Sequence, residues 1–179
     1  MISLKSISEE VCCIKKNDDM PNTLERIRHL SVERTISATV DSIKMCSVKS
    51  VRTYIRSYHV VVHSPSNVFN FRSLHVLKVT LSNVSSAIGH LKCLRYLDLS
   101  HGEFETLPES ICKLWNLQIL KLDDCFRLQK LPNNLIHLKA LQHLSLNYYN
   151  HLSRLPPNIG KMTSLRTLSR IRTIKFQNR

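Results

Sequence analysis

Leucine residues recur along this chain with one fixed spacing, L-x-x-L-x-L. The spacing is found in Leu94–Leu99, Leu117–Leu122 and Leu141–Leu146, and a Leu-Pro step follows each copy. The last two copies align without a gap at a period of 24 residues, whereas the first copy is one residue shorter. A further copy opens at Leu165. The chain is therefore built largely from one repeated unit.

The spacing within each unit predicts its local structure. In the second half of L-x-x-L-x-L, apolar and polar residues alternate, which is the period of a strand with one buried face. A strand this short must pair in parallel with its neighbours to satisfy its backbone groups. Proline then ends the pairing, and apolar residues three apart, such as Ile111 and Leu114, suit one helical or 3₁₀ turn. The pattern predicts an α/β repeat fold, a leucine-rich-repeat solenoid with a concave parallel β-ribbon and irregular or short-helical convex arcs.

The regularity of the repeats divides the chain into four parts. We predict a lead-in or linker over 1–23, degenerate leading repeats over 24–93, regular repeats over 94–170 and a truncated end over 171–179. Among the leading repeats, the copy that begins at Val51 places Arg56 on a core position. No polar capping repeat follows the last copy, so we expect a fragment of a longer array or a truncated product.

Two glycines and one cysteine occupy repeat positions with an expected structural role. Gly89 and Gly160 follow Ile88 and Ile159, where we expect turns with positive φ. Cys125 lies at the ninth position of its repeat, where Asn or Cys binds the turning backbone, so we expect it to be structural.

The formal net charge is +13, and its distribution is uneven. No Asp or Glu occurs between Ser42 and Leu97, a stretch that contains eight Lys and Arg residues. Such asymmetry indicates an acidic partner, which would be a protein surface, another domain or a nucleic acid. A solvated basic surface without a partner is the competing interpretation.

The cellular location and the possible chemistry of the protein are inferred from sequence motifs that do not occur. The sequence has no apolar run of about 18 residues and no export signal, so we expect a cytoplasmic or nucleocytoplasmic protein with reduced cysteines and no membrane partner. No phosphate-binding loop, dinucleotide fingerprint, zinc pattern or nucleophile elbow is present. We therefore predict no catalytic, cofactor or metal site, and no enzyme.

The remaining functional feature is the predicted concave surface. Side chains between the strand leucines point away from the core, and Tyr96 and Ile119 are the expected exposed anchors of a protein interface. Thr167 and Ser169 would extend the same rows. The predicted partner-binding residues are Tyr96, Asp98, Ser100, Ile119, Lys121, Asp123, His143, Ser145 and Asn147.

Six segments of the chain, taken in order, resemble one protein family. They are Arg28–Val32, Ser50–Tyr54, Ile88–Lys92, Leu94–Ser100, Leu107–Ile111 and Leu114–Leu122. Together with Cys125 and Leu131-Pro132, they resemble the first part of the leucine-rich-repeat domain of plant intracellular nucleotide-binding disease-resistance proteins, over about residues 24–170.

The resemblance implies a role in defence against pathogens. In that family the repeat domain contributes to effector specificity, and its first repeats, which tend to be basic, hold an acidic nucleotide-binding switch domain inactive. The implied partners are a pathogen effector or a host guardee, and the acidic switch domain, which Lys49, Arg52 and Arg56 would contact. The nucleotide-binding domain is absent from this sequence, so no nucleotide cofactor is expected.

Two other functions are compatible with the pattern. A stand-alone intracellular signalling scaffold of the Ras-associated type has similar Leu-Pro repeats, although those repeats are more uniform. A nucleic-acid binder would use the +13 charge, but the basic residues lack aromatic interleaving and a recognised motif, so nucleic acid is an unlikely partner.

Overall fold

A computed structural model describes residues 11–14, 27–32, 50–56, 68–148, 152 and 155–169. Its described strands form one eight-stranded sheet in which every neighbouring pair is parallel and the spatial order follows the chain order. The strands are β1 (Val11–Ile14), β2 (His29–Val32), β3 (Thr53–Arg56), β4 (Val76–Lys78), β5 (Tyr96–Asp98), β6 (Ile119–Lys121), β7 (His143–Ser145) and β8 (Thr167–Ser169). The predicted solenoid is confirmed.

The register of the sheet places equivalent repeat positions side by side. Leu97 pairs with Leu120, which pairs with Leu144, and all three side chains are buried. Burial of a leucine contributes about 1.5–3 kcal/mol, and each unit supplies several such residues to one continuous core. No unit could bury its apolar face alone, so the stacking itself makes the core.

A second ladder of hydrogen bonds connects the residues that immediately precede the strands. The Arg95 N–H donates to the His75 carbonyl, and the Gln118 N–H donates to the Arg95 carbonyl, each at 2.8 Å. The same bond joins Arg28 to Arg52 at one end and Gln142 to Arg166 at the other. These positions therefore form one continuous row at the end of the sheet where the strands begin.

Short 3₁₀ helices form the convex arcs, as the spacing of apolar residues predicts. They are η1 (Val68–Asn70), η2 (Ser86–His90), η3 (Glu109–Lys113), η4 (Asn133–His137) and η5 (Ile159–Lys161). Pro108 and Pro132 lie at the N-caps of η3 and η4 in extended conformations. The Leu-Pro step thus turns the chain from the sheet edge into the arc, because proline donates no hydrogen bond and has a fixed φ.

The structure adds detail to the leading part of the chain. A strand, β1, lies within the segment predicted as a lead-in, and it pairs with β2. At the end of β3, Arg56 occupies a buried position, as the repeat spacing indicates. The predicted truncated end, 171–179, lies outside the described residues.

The expectation of positive φ at Gly89 and Gly160 is wrong. No glycine has a positive φ; the left-handed residues described after β5, β6 and β7 are His101, Asp124 and Tyr148. The repeat therefore places its left-handed turn directly after the strand, where Asp and His adopt this conformation more readily than most side chains.

Candidate protein-binding surface

The sheet register arranges the concave side chains in rows. The first row contains Thr53, Val76, Tyr96, Ile119, His143 and Thr167. The second contains Ile55, Lys78, Asp98, Lys121, Ser145 and Ser169. A third group, Ser100, Asp123 and Asn147, follows the strands. All nine residues predicted from the sequence lie in these rows.

Apolar side chains occupy the middle of the first row. Val76, Tyr96 and Ile119, here called the apolar row, lie side by side on β4, β5 and β6, and all three are half-buried. The sequence pattern predicts that Tyr96 and Ile119 are exposed, but neighbouring strands less than 5 Å away shield part of each side chain. The apolar row is a shallow surface rather than a set of projecting anchors.

Charged side chains lie beside the apolar row. Lys78, Asp98 and Lys121, here called the charged row, alternate in sign across the same three strands. The side chain of Asp98 is only 7% exposed, so its place in the concave row does not make it accessible.

Hydrogen bonds explain how Asp98 tolerates burial. Its carboxylate accepts a hydrogen bond from the Ser100 N–H at 3.0 Å and from the Tyr96 hydroxyl at 3.4 Å. The Lys78 ammonium is 3.9 Å away. Burial of Tyr96, the Asp98 charge and the hydrogen bond between them raise the pKa of Tyr96. Tyr96 therefore stays a neutral donor throughout the physiological range.

Asp123 connects two neighbouring repeats. Its Oδ1 accepts the Ser145 hydroxyl at 2.7 Å and the Asn147 N–H at 2.8 Å. The Asn147 side-chain amide in turn donates to Ser145 Oγ at 3.0 Å. These residues are thus partly structural, because the carboxylate fixes the turn at the end of β7.

A polar hollow of about 300 Å³ opens beside the charged row, where the strands end. Both signs of charge line it, so it suits a partner surface with both acidic and basic groups better than a simple anion or cation. The lining residues are Arg56, Lys78, Val79, Thr80, Asp98, Ser100, His101, Lys121, Asp123, Asp124, Asn147 and Tyr148.

Two of the three basic residues assigned to a switch contact lie at opposite ends of β3. Arg52 is exposed immediately before β3. Arg56 is buried at the other end of β3 and lines the polar hollow. Lys49 lies outside the described residues.

Sequence reasoning missed Val76 and Lys78, although the signal for both was present. The copy Leu74–Val79 carries the same L-x-x-L-x-L spacing, so its intervening positions face the concave side like those of later repeats. Cys125 was assigned correctly. Its thiol lies 3.2 Å from the Leu99 carbonyl and is buried in the core.

The described residues contain neither a metal-ligand cluster nor a membrane-spanning helix. No group of three or more His, Cys, Asp or Glu side chains could hold a metal ion in that part of the chain. No helix of the same residues is both long and apolar enough to cross a membrane.

Comparison with known proteins identifies the repeats. Residues 47–178 match the family model described as a leucine-rich repeat region. A protein of Arabidopsis thaliana named as a disease resistance protein is 32% identical over an alignment of 134 positions, and the alignment covers 68% of this chain and 9% of that protein. TMV resistance protein N of Nicotiana glutinosa is 32% identical over an alignment of 139 positions, which covers 72% of this chain and 12% of that protein. The chain thus spans about a tenth of the length of these relatives.

Solved structures share the fold. A leucine-rich-repeat protein of Leptospira interrogans superposes with a TM-score of 0.65 at 22% identity, covering 85% of this chain and 45% of that one. The ectodomain of an Arabidopsis thaliana membrane receptor kinase superposes with a TM-score of 0.55 at 18% identity, covering 89% of this chain and 23% of that one. This chain therefore belongs to the leucine-rich-repeat family, and its repeats resemble those of plant disease-resistance proteins.

Proposed function

We propose that this chain is the recognition module of a plant intracellular immune receptor and binds a pathogen effector, or a host protein that the effector modifies, through its concave face. One observation carries this proposal: the half-buried apolar row lies directly beside the charged row on a single sheet. An apolar centre with charged and polar surroundings is the composition of a specific protein interface.

The rigidity of the surface favours binding. Parallel pairing fixes the backbone of β4, β5 and β6, and hydrogen bonds hold Tyr96 and Asp98 together. Little conformational entropy would be lost when a partner covers these side chains, so the buried area would convert efficiently into affinity.

Substitutions in the apolar row test this proposal. The wild-type chain would be immobilised and cross-linked to candidate effectors and to host proteins, followed by mass spectrometry. We expect Tyr96→Ala with Ile119→Ala to lose the concave partner, because interface anchors typically cost 2 kcal/mol or more, about thirtyfold in affinity. Phe126→Ala removes an exposed aromatic side chain outside the concave rows and should leave capture unchanged. Equal capture by both variants would refute a concave binding site.

A second contact would join the chain to an acidic nucleotide-binding switch domain. Arg52 is exposed and supports such a contact, together with Lys49. Arg56 is buried at the end of β3, so we assign it no direct role in this contact.

A pull-down against nucleotide-binding domains that lack their own repeats tests the switch contact. We expect binding at low salt that weakens at moderate salt and is lost when Lys49 and Arg52 are both changed to Glu. The matched control changes Arg127 and Lys130, which are exposed on another face, to Glu. No binding by the folded wild-type chain would favour the stand-alone scaffold instead.

A further inference from the structure

One side of the solenoid carries basic residues and no acidic residue among the described positions. This side, here called the basic flank, lies where each arc returns to the next strand. Its first row is the backbone ladder that precedes the strands, in which Arg52, Arg95 and Arg166 are exposed. Successive positions of a parallel ladder are about 4.8 Å apart, so the row is roughly 30 Å long.

A second row runs beside the first, one repeat per position. It contains Arg72, Lys92, Trp115 and Lys139, and every one of these side chains is exposed. The Asn116 amide donates to the Lys92 carbonyl at 2.8 Å, which binds one repeat to the next within this flank. Lys113 and Lys161 end η3 and η5 and add two further cations. The flank therefore presents eight exposed Lys and Arg side chains.

Five of the six acidic residues of the described chain lie away from this flank, and the sixth, Glu109, begins the short helix that Lys113 ends. Each acidic residue lies within a strand, after a strand or at the start of an arc. None lies in the segment that connects the end of an arc to the next strand. The six residues are Asp98, Glu103, Glu105, Glu109, Asp123 and Asp124. The positive charges of the basic flank create an electrostatic potential that attracts an extended anionic surface.

Trp115 lies among these cations and is 73% exposed. In its row it is flanked by Lys92 in the preceding repeat and Lys139 in the following repeat. Tryptophan is the residue that prefers the headgroup region of a membrane, where its ring is in apolar surroundings and its N–H stays hydrated. We propose that the basic flank docks reversibly on an anionic phospholipid surface, with Lys and Arg against the headgroups and Trp115 at the interface.

The form of the flank favours a lipid surface over other anionic partners. A protein partner that covered the whole flank would require several apolar side chains at the centre of its interface. Among the described residues of the flank, Trp115 is the one exposed large apolar side chain. A single-stranded nucleic acid would require several aromatic side chains on which successive bases stack. Two neighbouring rows of cations with one interfacial aromatic residue match a membrane surface best. The sequence predicts no membrane partner because it lacks an apolar span. A peripheral contact of this kind does not require such a span.

The sole tryptophan of the chain makes the test direct. Trp115 emission would be recorded while the full chain is titrated with vesicles of phosphatidylcholine, with or without 30% phosphatidylserine. We expect a blue shift with the anionic vesicles alone, quenching by lipids brominated near the headgroup, and reversal at about 0.5 M salt, where charges are screened beyond about 4 Å. Co-sedimentation provides a second readout.

Two double variants distinguish the effect of the charges on this flank from the effect of the net charge of the protein. Lys92→Gln with Lys139→Gln should lower partitioning about 25-fold, since each basic residue near an anionic surface contributes about fivefold. Arg127→Gln with Lys130→Gln removes the same charge from another face and should lower it less than threefold. Trp115→Phe, followed by co-sedimentation, should weaken binding while circular dichroism shows an unchanged fold.

Several results would overturn the proposal. They are no binding to anionic vesicles, equal binding to neutral vesicles, and equal losses from the two glutamine pairs. A larger Trp115 shift with homopolymeric RNA or polyglutamate, at matched anion concentration, would instead identify a site for a soluble polyanion. Arg52 belongs to both the basic flank and the proposed switch contact, but the vesicle variants change Lys92, Lys139 and Trp115. The experiments on the concave face and on the switch contact change none of these three residues, so either proposal can fail without the other.

Discussion

The same substitution, glycine to alanine, should move the stability of this protein in opposite directions at Gly102 and Gly160. A Cβ atom added at Gly102 would overlap the ring of Phe104, lying 2.7 Å from its Cδ1 and 3.0 Å from the Leu99 carbonyl oxygen. Phe104 is 2% exposed, so its ring has no empty space to enter. At Gly160 the same atom would meet nothing within 4 Å, and φ is not positive there.

The magnitudes follow from packing and from chain entropy. Overpacking of a core costs about 1–3 kcal/mol, and Gly102→Ala should be near the upper limit because a buried ring and a backbone oxygen both obstruct it. Gly160→Ala should stabilise the fold by about 0.4–1 kcal/mol, since alanine reduces the entropy of the unfolded chain. Gly89→Ala should destabilise by an intermediate amount, because its Cβ would be 2.9 Å from the Ser110 carbonyl oxygen.

Urea unfolding followed by far-ultraviolet circular dichroism measures all three changes. The midpoint should increase in the order Gly102→Ala, Gly89→Ala, wild type, Gly160→Ala, with similar slopes because the surface exposed on unfolding is the same. A Gly102→Ala variant as stable as the wild type would show that the Phe104 ring is not confined. A Gly160→Ala variant less stable than Gly89→Ala would refute the whole steric argument.

Two further predictions concern single side chains. Burial, with a smaller effect from Glu109, raises the pKa of the Cys112 thiol from 9.0 to about 12, so its thiolate fraction at pH 8 is about 10⁻⁴. In iodoacetamide labelling followed by peptide mapping at pH 7 to 9, Cys112 should react far more slowly than the exposed Cys93, and its rate should still rise with pH at the upper end of this range. Equal rates would contradict the burial of this thiol. Asp123→Ala should destabilise the fold by about 2 kcal/mol in the urea assay because the Asn147 N–H loses a charged acceptor, whereas Asp123→Asn should retain part of that bond; identical effects of the two changes would contradict this account.

The sequence was sufficient to predict the fold because the repeat period imposes the sheet register. Once Leu97, Leu120 and Leu144 are equivalent, parallel pairing places them side by side, and the alternate residues Tyr96, Ile119 and His143 must share the other face. The arcs followed from the Leu-Pro step in the same way. The binding role of the concave residues stays a prediction.

Side-chain accessibility could not be predicted from the same period. Alternation gives the face on which Asp98 lies, but its burial depends on the Tyr96 hydroxyl and on Lys78 from the preceding repeat. Arg52 and Arg56 are only four residues apart, yet one is exposed before β3 and the other is buried at its end. Their separation depends on where the strand begins and ends.

The positive-φ prediction failed for a physical reason. Glycine is the residue that most readily adopts a left-handed conformation, so its presence suggests a turn, but it is also selected where space is short. Gly89 and Gly102 belong to the second class, since each lies against a neighbouring residue that a Cβ would contact. The left-handed positions at His101 and Asp124 are visible only once the end of each strand is known.

The alternation of core and concave positions has a consequence for how such a protein can change over generations. Stability resides in the buried leucines and the backbone ladders, while the side chains of Ile119 and Lys121 project from the same strand and lie outside the buried core. A substitution at such a position can alter what the surface recognises and leave the free energy of unfolding nearly unchanged. Asp123 is different, because its carboxylate also fixes a turn. Sequence variation among related chains should therefore accumulate at positions such as Ile119 and Lys121 and be rare at positions such as Asp123.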